Sequence, residues 1–252
     1  MTVIEFYNEL KKLYPDSLSC EWDNDGLMCS PDVNADVTKV LVALDATDEV
    51  LSYANEHGFD TVLTHHPMIF KGLNTVAETS LIGARTVFAI KNGLSVISLH
   101  TRLDAGKNGV NDRLAEILGL TDISVFGDEE SPELGRIGYT DLSTEEFISK
   151  LKTALHIKTV NAYLTRGINK VAVVGGSGKD FISASISMGA DTLVTGECSY
   201  NNALDAAEMG LNVIEAGHYA TEFPVCSRLA DLSVSLAGAE VEIYELTIPR
   251  QI

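Results

Sequence analysis

KVLVALDATDEVLSYANEHGFDTVLT, residues 39–64, lies without a gap on KVAVVGGSGKDFISASISMGADTLVT, residues 170–195. The pairing keeps Lys39 with Lys170, Val42 with Val173, Gly58 with Gly189, Asp60-Thr61 with Asp191-Thr192, and Thr64 with Thr195. Each stretch runs from a short apolar segment through a helical pattern to a glycine and a second apolar segment, which reads as strand, helix, strand. The likeness continues outward. Residues 93–97, GLSVI, resemble residues 210–214, GLNVI, and the helical segments 5–14, EFYNELKKLY, and 146–155, EFISKLKTAL, precede the two copies. Thr2 and Glu5 stand as a capping box at the start of the first of these.

A self-match of this kind points to an internal duplication, so the expected fold is α/β, with two related domains. The strands are short and apolar on both sides, which suits mostly parallel or mixed sheets covered by helices. The Gly-, Pro- and acid-rich segment 124–135, SVFGDEESPELG, has linker composition. The expected division is therefore a first domain over 1–125, completed by 220–252, and a second over 126–219. The last strand, VEIYELTI at 241–248, lies beyond the second copy and is expected to return to the first sheet.

Composition narrows the function. The chain has 252 residues, 45% hydrophobic, with 36 acidic against 18 basic side chains and a net charge of −18. Such a charge repels nucleic-acid backbones unless a basic patch overrides it, and none is visible. No apolar run is long enough to span a bilayer, and the opening residues lack the apolar stretch of a signal peptide. Cys20, Cys29, Cys198 and Cys226 are scattered without a CxxC pair, so reduced cysteines in a cytoplasmic protein are expected.

Parallel α/β sheets place ligands at the carboxyl ends of their strands. Three strand ends here carry metal-ligand residue types: DTVLT runs into His65-His66-Pro67, LSVISL into His100-Thr101-Arg102-Leu103-Asp104, and NVIEAG into His218-Tyr219-Ala220-Thr221-Glu222. Neighbouring side chains inside a strand face opposite ways, but Pro67 limits His66 to extended or turn backbone, so both imidazoles can project from the strand end. Thr221 reads as a helix N-cap, with His218 in the loop before it and Glu222 in the first turn, since Pro224 fits only near a helix start. Three imidazoles and two carboxylates exceed what one catalytic zinc uses, and suit two divalent metals with a bridging carboxylate. The nitrogen and oxygen donors fit zinc, iron, manganese, cobalt or nickel. His100 is an outer partner of the ligands or a capping side chain. Glu197, which occupies in the second copy the place of the histidine pair, and Asp45, at the exit of the first strand, approach the site or serve as ordinary turn carboxylates. Gly175-Gly176-Ser177-Gly178 cradles a phosphate or permits tight strand-to-helix packing. No GxSxG elbow, Cys-His pair or kinase-type motif is present.

Six segments in order resemble the GTP cyclohydrolase 1 type 2 homolog family, also called the Ngg-interacting-factor-three-like family: Glu21–Leu27 (EWDNDGL), Thr64-His65-His66-Pro67, His100–Asp104 (HTRLD), Gly109–Asp112 (GVND), Asp191–Glu197 (DTLVTGE) and Ala216–Glu222 (AGHYATE). The resemblance covers nearly the whole chain. It implies two interleaved α/β domains, a dinuclear metal site between them and a ring-shaped homohexamer. By it, His65, His66, Asp104, His218 and Glu222 fall on metal-ligand positions, with Glu222 bridging. Many members carry Asn at the place of Arg102 and a histidine within the stretch that here reads Ser199-Tyr200-Asn201-Asn202. The function expected is a metal-dependent hydrolase of a nucleotide or a related heterocyclic or phosphate compound. The alternative is a non-catalytic metal-binding regulator or interaction scaffold. A pocket with base-stacking groups beside the metal favours the enzyme.

Overall fold

The computed structural model describes residues 1–131 and 133–246. Contacts gather them into two compact units, one made of residues 1–103 with 225–246 and the other of residues 104–224.

The first unit opens with α1 (Val3–Leu13), whose capping box forms as the sequence predicts: Thr2 caps Glu5 N–H while the Glu5 carboxylate takes Thr2 N–H. Its buried stripe is Val3, Phe6 and Leu10. β1 (Gly26–Cys29) follows, then β2 (Lys39–Ala43), α2 (Asp48–Glu56), β3 (Thr61–Thr64), α3 (Leu81–Lys91) and β4 (Ser95–Ser98). A short α4 (Thr101–Ala105) carries the chain out of this unit. The sheet order is β1-β4-β3-β2-β11, where β11 (Glu240–Ile243) pairs in parallel with β2. The final strand thus returns to the first sheet; the last two residues of 241–248, and the rest of the expected completion to 252, lie outside the described residues. β1 alone runs antiparallel, against β4. α10 (Cys226–Ala237) packs on β2, β3 and β11.

The second unit contains α5 (Val110–Leu118), β5 (Thr121–Phe126), β6 (Gly135–Tyr139), α6 (Thr144–Ala154), β7 (Asn161–Tyr163), β8 (Lys170–Ser177), α7 (Ile182–Ser187), β9 (Thr192–Glu197), α8 (Tyr200–Glu208), β10 (Asn212–Glu215) and α9 (His218–Glu222). Its sheet order is β5-β6-β8-β9-β10-β7, with β8, β9 and β10 parallel and the other pairings antiparallel. Segment 104–125, which linker composition assigns to the first domain, stands in this second unit. The reason is packing: α5 buries Leu114, Ala115 and Leu118 in the core with Phe147, Leu151 and Val173, and β5 pairs with β6.

The duplication survives at the level of register. In the first unit Val40 pairs with Thr61 and Ala43 with Thr64; in the second, Val171 pairs with Thr192 and Val174 with Thr195. The repeated Asp-Thr has a physical task. Asp60 Oδ2 accepts the N–H of Thr38 and of Lys39, and Asp191 Oδ2 accepts the N–H of Asn169 and of Lys170. Each carboxylate therefore satisfies the backbone donors at the start of the neighbouring strand, where the ladder has not begun. α6 repeats the capping box of α1, with Ser143 and Glu146. Among the described residues no helix is long and apolar enough to cross a membrane.

Candidate metal centre

In the first unit β3 ends at Thr64, and the chain turns so that His65 and His66 leave it together. His66 N–H donates to Leu44 O (2.9 Å), and the Thr64 hydroxyl donates to His66 O (2.8 Å). These two bonds hold the backbone out of strand alternation, and the two imidazole centroids lie 4.9 Å apart. His100, at the exit of the adjacent β4, stands 5.3 Å from the His65 ring and 5.7 Å from that of His66. The three imidazoles form a group able to hold a metal ion, with one nitrogen of each inside a 4.8 Å cluster.

What surrounds the rings decides which nitrogen can serve. His65 Nδ1 lies 2.9 Å from Leu99 O, His66 Nδ1 2.8 Å from Asp45 Oδ1, and His100 Nδ1 2.8 Å from Asp23 Oδ1. A carbonyl or carboxylate oxygen only accepts, so each Nδ1 carries the proton and, in the neutral ring, each Nε2 carries the lone pair. Metal-binding imidazoles are prepared in this way, by an acceptor on the nitrogen opposite the ligand atom. Asp45 thus stands directly behind His66.

The sequence reading assigned no role to Asp23 and Asp25, and the structure gives both one. Asp23 accepts from His100 Nδ1 and from Thr101 N–H and hydroxyl, while Asp25 Oδ2 accepts His100 N–H (3.1 Å). Burial alone would raise the Asp23 carboxyl; the bond and charge of His100 and the two bonds from Thr101 outweigh it and hold the group at about 2. Arg102, buried, grips Asp25 with two nitrogens (2.7 and 2.5 Å) and Asp16 with a third (2.8 Å). Burial works against its charge, but the Asp25 carboxylate overcomes this and raises the guanidinium pKa further. Arg102 therefore clamps the loop that orients His100. The signal for these partners was the pair of acids in EWDNDG, but nothing in the spacing links residue 23 to residue 100.

In the second unit Gly217, at φ +93°, starts α9 one residue before His218. The helix therefore begins earlier than Thr221 suggested, because the threonine is no cap: its buried hydroxyl donates within the turn, toward Gly217 O and His218 O, and accepts Gly176 N–H (3.1 Å). Pro224 accordingly follows the helix rather than opening it. His218 and Glu222 sit one turn apart with Nε2 3.1 Å from Oε2, and Glu197 Oε2 lies 3.5 Å from His218 Nδ1. Donor atoms each about 2 Å from one cation stand roughly 3 Å apart, so the pair already has ligand spacing.

The glycine-rich stretch takes the packing alternative. Gly175 and Gly176 are residues of β8 rather than of a loop, and Gly176 has φ +63°. A Cβ on Gly176 would run into Glu222 Oε1 and come within 3.1 Å of His218 Nε2; one on Gly175 would press on the Glu222 side chain. The glycines leave room for that pair. Asp104, in α4, is buried. Its backbone carbonyl accepts from Asn111 Nδ2 (3.3 Å), and Asn111 Oδ1 in turn accepts Gly175 N–H (2.7 Å). Arg136 donates to the carbonyls of Ala105 (2.8 Å) and Gly106 just beyond.

The structure therefore brings His65, His66, His100 and Asp45 together in one unit, and His218, Glu222 and Glu197 together in the other. The donor set suits a divalent ion of intermediate softness. The model of the Duf34/NIF3 (NGG1p interacting factor 3) family matches residues 1–250.

The chain belongs to the Duf34/NIF3 family.

A Clostridium perfringens GTP cyclohydrolase 1 type 2 homolog is 35% identical over 251 residues, covering 96% of this chain and 95% of the relative. Among solved structures, the Staphylococcus aureus hypothetical protein SA1388 superposes with a TM-score of 0.89 at 28% identity, covering 100% of this chain and 99% of that one. Reduced HcgD from Methanocaldococcus jannaschii superposes at 0.87, with 28% identity over 98% of each chain. The Duf34/NIF3 relationship thus extends over sequence and fold alike.

Proposed function

We propose that this Duf34/NIF3 chain binds two divalent metal ions through His65, His66, Asp104, His218 and Glu222 and hydrolyses a nucleotide or a related heterocyclic or phosphate compound. The observation that carries the reading is the fixed tautomer of the first-unit histidines, each with Nδ1 held by an acceptor. The glycine space kept for His218 and Glu222 supports it independently. A bound divalent cation supplies a lowered pKa for water and polarises a substrate oxygen.

The chain's own residues do the rest. Asp45 keeps the proton of His66 on Nδ1, and Leu99 O does so for His65, so neither ring can turn its lone pair away. Glu197 stands where it can hold a proton at His218 Nδ1, leaving Nε2 beside Glu222. Curated relatives carry the name GTP cyclohydrolase 1 type 2 homolog, which makes GTP the first compound to try. The family reading also includes a homohexamer.

The test is incubation of protein reconstituted with zinc, manganese or iron(II) with GTP, GMP and phosphodiesters, followed by chromatography. Turnover that disappears in His66→Ala supports the hydrolase. Stoichiometric metal with no turnover of any of these compounds leaves the regulator or scaffold reading in its place.

A further inference from the structure

Two large aromatic side chains stay in solvent beside the histidines. Trp22 is 53% exposed and Phe70 43%. They come from different loops, yet both meet the same imidazole edge-on: Trp22 at 6.2 Å and 77° from His100, Phe70 at 6.0 Å and 90°. They also meet each other at 6.1 Å and 69°. Asn24 Nδ2 donates to Ile69 O and ties the two loops together. These three edge contacts restrain the exposed rings before any ligand arrives, which lowers the entropy cost of stacking.

Phe70 also lines a cleft of about 490 Å³, together with Thr47, His66, Lys71 and Arg85. That volume falls in the range of small-molecule sites. In a chain of net charge −18 the cleft is lined by two cations, Lys71 and Arg85, against one acid, Asp45, with Phe70 in its wall beside Lys71. Arg85 is held in place by Asp48 (2.7 Å), while Lys71 is exposed.

We infer that Trp22 and Phe70 form a stacking platform for a planar heterocycle, with Lys71 and the adjoining cleft receiving an anionic group carried by the same molecule. This deepens the proposed function by naming the recognition elements of its substrate, and it rests on that reading only for the chemistry that follows binding. A base offers a flat face to an exposed ring and an attached phosphate offers charge to the lysine, so a nucleotide satisfies both.

Trp22 is the chain's single tryptophan, so its fluorescence reports on the platform without a label. The full-length protein, in both metal-reconstituted and chelator-treated form, is titrated with GTP, guanosine and inorganic tripolyphosphate. The expected result is saturable quenching by GTP, weaker binding of guanosine, and no quenching by tripolyphosphate. Phe70→Ala should weaken GTP about tenfold. Lys71→Ala should weaken GTP several-fold and leave guanosine unchanged. Calorimetry of Trp22→Ala should show a loss at least as large as that of Phe70→Ala.

Three results would overturn the inference: no quenching by GTP at millimolar concentration in either metal state, tripolyphosphate binding as tightly as GTP, or a Trp22 emission already shielded from acrylamide in the free protein because a second copy covers it. Metal content measured on the same samples separates the two proposals. GTP quenching in protein that binds no metal keeps the platform and removes the hydrolase. Bound metal without quenching does the reverse.

Discussion

At the scale of single residues, two of the first-unit histidines are oriented by acids at Nδ1, Asp45 behind His66 and Asp23 behind His100. Asp23 shows the cost of removing one. Its folded pKa, about 2, lies below the ordinary 3.8, so its charge contributes stability that is fully present above that ordinary value and is lost as pH falls through about 2. Asp23→Asn should therefore lower the unfolding free energy by about 2 kcal/mol at pH 7, and the gap to the parent should close as the pH approaches 2. Urea midpoints at a series of pH values check this; a gap that stays constant with pH contradicts it. Asp23 was illegible in the sequence because its contact with His100 spans 77 positions, whereas Asp45, which stands behind His66, could be named as an acid at a strand exit. The candidate histidines and carboxylates could be named from the chain because residue type at a strand exit is visible in the sequence.

At the scale of elements, α9 and β8 are fitted to each other through glycine. Gly176 and Gly189 both have positive φ, at +63° and +73°. Alanine at either strains the backbone by about 1 kcal/mol. They differ in surroundings: a Cβ on Gly189 meets only Lys170 Nζ at 3.9 Å, whereas one on Gly176 collides with Glu222. Both variants should lose stability in thermal melts, but only Gly176→Ala should also lose metal. Equal metal content in the two would sever the link between this glycine and the ligand pair. The capping boxes make a second, simpler comparison. Ser143→Ala removes the side chain that caps Glu146 N–H and should cost about 1 kcal/mol. Capping is local and could be read ahead for α1. The start of α9 was misread because Thr221 looks like a cap in sequence, while its hydroxyl is spent on carbonyls inside the turn and on Gly176.

At the scale of the whole molecule, the internal repeat made the fold readable, since a register preserved between β2-β3 and β8-β9 leaves its mark in an ungapped match. The limit between the units was less readable. Segment 124–135 has the composition of a linker, but the packing of α5 onto β6 and β8 sets the change at residue 104. If the homohexamer reading holds, light scattering should return six times the 27.1 kDa chain mass, and a monomeric value would remove it. The reading as a metal-binding protein is tested most directly by elemental analysis of protein purified without chelator, compared with His66→Ala and Glu222→Ala. About two equivalents of divalent metal per chain, falling in both variants while they remain folded, is the result expected for a two-metal site. Less than a tenth of an equivalent in the parent protein, unchanged after reconstitution with zinc, manganese and iron(II), would contradict it.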